Sequence, residues 1–190
     1  CDEARVITAD AVRHATSVRM SEHQDAAGVD GELPGNHPDE IAQIAGVVHL
    51  RLAAACVGYL CKHNATLAGA EGGCQAEIGV ASAMGAAFLA EAHGFPHQVV
   101  ANSAESALEH HLGMTCDPVA GFVQVPCIER CAFGAVKAWT GYLIASNEVP
   151  ADRRLDFDTT VNAMALTAKE MNTKYKETSE GGLAVAVVLC

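Results

Sequence analysis

The sequence predicts an all-α domain of about five helices around one buried central helix, with an extended C-terminal tail folded back toward a metal site. Three observations predict this. Apolar residues recur at helical spacing over most of the chain after Asp39. Half of the 190 residues are apolar, yet only 5% are aromatic and 17 are glycine. Small side chains at that density suit close helix–helix contact better than a sandwich of β-branched strands. Glycine and proline then fall between the periodic stretches, where they punctuate helices.

Residues 1–38 read as a divergent N-terminal segment, mostly loop, with a short helix near Asp10 to Met20 and a break at Gly35-Asn36-His37-Pro38. Residues 39–190 read as the helical domain. Ile41, Ile44, Val47, Val48, Leu52, Ala55, Cys56, Tyr59 and Leu60 mark its first helix, with Asp39 as N-cap and Asn64 near its end. Ala65 to Gly73 is a small-residue connector. Gln75 to His93 is apolar nearly all round, which marks it as the buried central helix, stopping at Gly94. A third helix runs from Pro96 to about Leu112, before Gly113. Pro118, Gly121 and Pro126 keep Met114 to Val125 irregular. Pro126 opens a fourth helix, Cys127 to about Ser146, broken at Val149-Pro150. A fifth spans about Asp156 to Asn172 behind an Asp cap, and a polar turn ending in Gly181-Gly182 leads to the apolar tail, Leu183 to Cys190.

The net charge of −11 disfavours nucleic acid and anionic membrane as partners. The longest uncharged apolar run, Ile78 to Ala90, is shorter than the roughly 20 residues a membrane span needs. The acidic, polar start reads as no signal peptide, so a cytoplasmic location is expected. Eight cysteines in that context read as reduced thiols, some of them ligands, rather than a disulfide framework.

Three cysteines stand in unusual contexts. Cys74 follows two glycines in Glu71-Gly72-Gly73-Cys74-Gln75 and opens the central helix, where the backbone can approach a bulky group and a thiolate is stabilised. Cys127 lies in the first turn of a helix behind Pro126, and Cys116 lies in the stiff Thr-Cys-Asp-Pro loop. Two helix starts and one rigid loop suit a single thiolate-ligated centre; three separate buried thiols are the alternative. Cys190 is the last residue. The separations of 42, 11 and 63 positions match neither zinc ribbon nor ferredoxin spacing, so spacing does not identify the metal. Cys56 reads as core filling, and Cys131, one turn beyond Cys127, as an extra ligand or a packing residue.

At these residues the chain resembles a known family. GAEGGCQAEIGVASAMGAAFLAE, ALEHHLGMTCDPVAGFVQVPCIERCA and MNTKYKETSEGGLA are similar to the α-domain of the iron–sulfur L-serine dehydratases, over about His49 to Cys190. The resemblance implies a [4Fe–4S] cluster held by Cys74, Cys116 and Cys127, whose fourth iron is the site for L-serine and is taken by Cys190 when substrate is absent. It implies conversion of L-serine to pyruvate and ammonia, with the open iron as Lewis acid. It also implies a homo-oligomer and a β-domain or β-subunit, whose substrate loop is absent from this sequence. The family's Pro-Thr-x-Gly-Ala motif is missing too: after Val6-Ile7-Thr8-Ala9 the chain continues Asp10-Ala11-Val12-Arg13. His111 and Cys131 stand where the family carries Asn.

No catalytic base is assigned from the sequence. Glu71, His110, His111 and Asn64 are candidates for polar contacts beside the cluster or substrate; solvated helix ends and caps are the plainer readings. Glu77, also flanking Cys74, is a second candidate for orienting its loop. Thr178 and Ser179 are turn residues or carboxylate donors. Two other functions fit the same cysteines: a non-catalytic cluster protein that senses oxygen or redox state, and a metal-free structural domain.

Overall fold

A computed structural model describes residues 38–123 and 126–186. Within them lie seven helices: α1 Pro38–Asn64, α2 Gly69–Gly72, α3 Val80–Ala92, α4 His97–Glu109, α5 Cys127–Asn147, α6 Phe157–Glu170 and α7 Leu183–Ala186. A π-helical turn, Gln75–Gly79, leads directly into α3. No strand occurs among the described residues, only isolated bridges. No described helix is long and apolar enough to cross a membrane.

The helix from Gln75 onward is central. α1, α4 and α5 all pack against α3, and Val80, Ser82, Ala83, Ala86, Ala87 and Ala90 are buried along it. Alanine there removes bulk, so neighbours come close on every side. Leu60 and Cys61 of α1, Leu108 of α4, Tyr142 of α5 and Met164 of α6 complete the core. The α4–α5 contact is closer still, because a Cβ at Gly141 would lie 3.0 Å from the Ala107 backbone nitrogen. Ser82 Oγ donates to the Gly134 carbonyl at 2.8 Å, tying α3 to α5. Buried Cys61 has its thiol pushed up to about 12 by desolvation, as befits a core residue. Cys56 is half-buried against the same core.

Sequence punctuation accounts for the helix ends. α3 stops before Gly94 at φ 73°, and α4 is followed by a turn closing on Gly113 at φ 82°. The Asp156 side chain accepts from the Thr159 N–H at 2.7 Å, capping α6. Two details differ from expectation. The start of the central helix is a π turn rather than α-helix, and the Gln75 N–H at its open end donates to the Met114 carbonyl at 3.1 Å. Leu183–Ala186 form a helical turn rather than extended backbone, begun where the Leu183 N–H donates to Asp117 Oδ2 at 2.7 Å. The expectations for the N-terminal segment and for Cys190 fall outside the described residues.

Candidate metal centre

Cys74 sits at the entry to the π turn. Gly73 before it has φ 73°, and a Cβ there would lie 2.7 Å from the Met114 carbonyl oxygen. Only glycine lets the chain turn this tightly into the helix. Buried Gln75 then fixes the register. Its Oε1 accepts from the Gly113 N–H at 2.8 Å, and its Nε2 donates to the Met164 carbonyl at 3.4 Å. The end of α4 and the middle of α6 are thereby tied to the residue after Cys74.

Cys116 is held from another direction. Its N–H donates to the Tyr175 carbonyl at 2.8 Å, and its carbonyl accepts from the Glu177 N–H at 2.9 Å. This short parallel bridge stitches the Cys116 loop to the turn before the tail. Ser179 Oγ donates to the Pro118 carbonyl, and the Gly121 N–H donates back to Ser179 at 3.1 Å. Ser179 thus has the turn role. Glu177 and Ser179 both lie at positive φ, 61° and 59°, a conformation these side chains rarely adopt.

These supports bring Cys74 Sγ, Cys116 Sγ and a Glu77 carboxylate oxygen within 4.8 Å of one another. Both thiols are buried and Glu77 is exposed at the rim. Cys127, also buried, leads α5 and is close enough to act electrostatically on both thiols. Arg130, one turn along α5, closes the group. Its Nη1 donates to Cys74 Sγ at 3.4 Å, to the Thr115 carbonyl at 2.8 Å, and pairs with buried Asp117 Oδ1 at 2.7 Å.

The electrostatics sort the thiols. Cys74 is lowered to about 7, first by the hydrogen bond from Cys116 and then, against burial, by Arg130. Cys116 is raised, since it gives its hydrogen to Cys74 and is desolvated. Burial is the main cause that raises Cys127. Apart from metal, then, Cys74 is the thiolate and Cys116 its donor. Sulfur donors clustered in this way, with one soft anion already favoured, suit a thiophilic metal centre. Gly69 lines the same space: a Cβ there would lie 2.9 Å from Glu77 Oε2 and 3.4 Å from Cys116 Sγ.

The other candidates are placed elsewhere. Glu71 is exposed and accepts from the Thr66 hydroxyl. Asn64 is exposed at the end of α1. His110 is exposed, its Nδ1 donating to the Ser106 carbonyl at 3.0 Å. His111 is buried; its Nδ1 donates to the Ala107 carbonyl at 2.7 Å, and its Nε2 has no partner. Cys131 is exposed, one turn beyond Cys127 and close enough to act on it electrostatically. None of these is in the Cys74–Glu77–Cys116 group. Arg130 and Asp117 were not anticipated, although Arg130 follows Cys127 by three positions, the spacing that puts two side chains on one side of a helix.

Comparison with known proteins bears on the same residues. A family model described as the serine dehydratase alpha chain matches residues 26–184. L-serine dehydratase TdcG of Escherichia coli K12 is 53% identical over 137 residues, covering 72% of this chain and 30% of its own length. The L-serine dehydratase of Streptomyces coelicolor is 47% identical over 145 residues, 76% of this chain and 32% of its own. That of Helicobacter pylori strain 26695 is 48% identical over 149 residues, 78% of this chain and 32% of its own. This chain therefore spans about a third of the length of the curated relatives it matches. With that match running through all three buried thiols, the chain belongs to the serine dehydratase alpha chain family.

Proposed function

We propose that this chain is the metal-holding domain of an L-serine ammonia-lyase, with Cys74, Cys116 and Cys127 as ligands of a [4Fe–4S] cluster and Cys190 as the displaceable fourth. The reading rests on one observation above all: buried sulfurs 42 positions apart in sequence meet at the start of the central helix beside a carboxylate. The relatives' names supply the substrate, L-serine. When bound, the cluster supplies an open iron, a Lewis acid for serine's carboxylate and hydroxyl.

The reaction removes the α-hydrogen as a proton and the β-hydroxyl as water. The resulting aminoacrylate tautomerises, and water hydrolyses the imine to pyruvate and ammonia. The chain's own residues contribute the setting. Arg130 adds to the Cys116 hydrogen bond in favouring the anionic form of Cys74, and it keeps the Thr115–Asp117 loop against α5. Asp117 orients Arg130 and anchors the start of the tail through Leu183. Glu77 is the carboxylate nearest the two thiols, and it suits holding a proton or the substrate ammonium at the rim. The chain spans about a third of its relatives, so the reading assigns the base that takes the α-proton to the missing β-domain. Turnover then needs that domain, in the reducing cytoplasm a thiolate cluster requires.

Anaerobic purification followed by iron and sulfide analysis tests the cofactor. Serine-dependent pyruvate formation, measured with and without the remainder of a full-length relative, tests the activity. A cluster present without turnover alone, and turnover on adding the remainder, is the expected result. Zinc in place of iron and sulfide, or no metal after reconstitution, overturns the cofactor; a loaded chain inactive with every partner overturns the lyase.

A further inference from the structure

Gly69 of α2 is buried, and the space its missing side chain leaves is walled by acceptors. A Cβ there would lie 2.9 Å from Glu77 Oε2, 3.4 Å from Cys116 Sγ and 3.5 Å from Glu177 Oε2. The three come from separate parts of the chain: the π turn, the stiff loop and the turn before the tail. Glu177 is carried there by its backbone, whose N–H donates to the Cys116 carbonyl at 2.9 Å. Glu177 acts electrostatically on Cys116, and Glu77 on Cys74 and Cys127. Neither carboxylate has a side-chain hydrogen bond or an ion pair among the described residues. Arg130, the cation bonded to Cys74, is committed to Asp117 and Thr115. Negative groups that converge in this way, with no cation paired to them, attract one from solution.

We propose that Glu77 and Glu177 together bind the α-ammonium of the substrate, so that the site selects an amino acid over the same molecule without its amino group. The inference rests on the reading of this centre as that of an L-serine ammonia-lyase. An ammonium carries three N–H donors and no acceptor, which suits a wall made only of acceptors. Its bonds to carboxylates are charge-assisted, roughly twice as strong as neutral ones. In that reading the iron takes serine's carboxylate and hydroxyl. The ammonium is then the one polar group of the substrate still to be satisfied, and the Gly69 space adjoins the sulfur of a cluster ligand. Glu77 belongs to the start of the central helix, whereas Glu177 belongs to the turn before the tail. The subsite is therefore complete only while that turn lies against Cys116. The base that takes the α-proton stays with the β-domain; these two residues bind and orient.

The test compares two ligands on the anaerobically loaded 190-residue chain, alone and with the remainder of a full-length relative. L-Serine and 3-hydroxypropanoate share the carboxylate and the β-hydroxyl, and the second lacks the ammonium. Dissociation constants come from calorimetry. The wild type should prefer L-serine about 10-fold or more. Glu177→Gln and Glu77→Gln should each cut that preference about 3- to 10-fold by weakening serine alone. Gly69→Ala, whose methyl takes up the space, should do the same. 3-Hydroxypropanoate should bind these variants as it binds the wild type or tighter, since an anion loses a repelling neighbour. Glu180→Gln, which removes an equal charge from the same turn, should change neither constant. Glu177→Gly separates the side chain from the fold. Its backbone at φ 61° suits glycine better than glutamate, so the variant should melt at or above the wild type and still lose the preference. A wild-type preference kept in the Glu77 and Glu177 variants overturns the proposal and leaves the lyase reading standing. So does an equal change with Glu180→Gln, which would reduce the effect to net charge. A chain without iron and sulfide, or a loaded one that binds neither ligand in either state, overturns the lyase reading itself and the proposal with it.

Discussion

Arg130→Met removes one guanidinium nitrogen that serves three acceptors. Asp117, 2% exposed, loses its ion partner; the Thr115 carbonyl and Cys74 Sγ lose their donor. Breaking a fully buried pair costs about 3–5 kcal/mol. Arg130 is itself 17% exposed, and Asp117 keeps the Leu183 N–H at 2.7 Å. The expected loss is therefore about 2–4 kcal/mol. For a chain of this size that lowers the melting temperature by roughly 5–15 °C. Arg130→Lys should fall between, since an ammonium keeps the Asp117 pair but does not present a planar fork. Thermal melts followed by circular dichroism measure the stability term. Iron retained after anaerobic desalting measures the site, and retention should fall in the order wild type, Lys, Met. A Met variant melting within about 2 °C of wild type with unchanged iron would refute the idea that one side chain braces both the loop and the Cys74 sulfur.

Three further outcomes follow from the packing. Gly73→Ala meets the Met114 carbonyl and a backbone at φ 73°; it should cost more than about 1 kcal/mol in urea unfolding and reduce iron retention, whereas an unchanged midpoint would contradict the tight turn. Arg153→Met strands Glu105, fully buried and bonded by Arg153 Nε at 2.9 Å and Thr160 Oγ1 at 2.9 Å; the cost should be about 3–5 kcal/mol at pH 7. Burial already raises Glu105 above its ordinary value, so the variant's carboxylate should take up a proton on acidification and the deficit should shrink toward pH 5; a deficit that grows there would count against this. Burial lowers the His111 pKa, so the native state excludes a proton that the unfolded chain accepts near 6.5. Stability from this source is complete above that pH and is lost as pH falls toward the native value, by at most about 1.4 kcal/mol per unit. His111→Asn should flatten the profile between pH 7 and 5.5 in urea titrations, and parallel profiles would exclude the effect.

The helices were legible because their signals are local. Apolar spacing outlined α1, α3, α4, α5 and α6, and Gly94, Gly113 and Pro126 fall at their ends. The π turn carried no such signal, and the bond from the Gln75 N–H at its start to a carbonyl 39 positions away is one that periodicity does not encode. The same holds at the site. Cys74 and Cys116 were conspicuous by context, and the chain brings them together. Choosing among polar neighbours was harder. His110 and His111 drew notice as a pair, yet each turns back to its own helix. Glu77, weighed beside Glu71, is the one beside the sulfurs. Arg130 drew no reading from the sequence, because its acceptors, Asp117 and the Thr115 carbonyl, lie in a loop more than ten positions before it.

The bridge between Cys116 and Lys176 has a consequence for how the protein is made. A chain emerges from the ribosome N-terminus first. Cys74, Cys116 and Cys127 are all translated well before residues 173–183, which wall one side of the pocket. Until residues 173–183 have been made, the Cys116 loop lacks the backbone partners that Tyr175 and Glu177 supply, and the thiols stand without that wall.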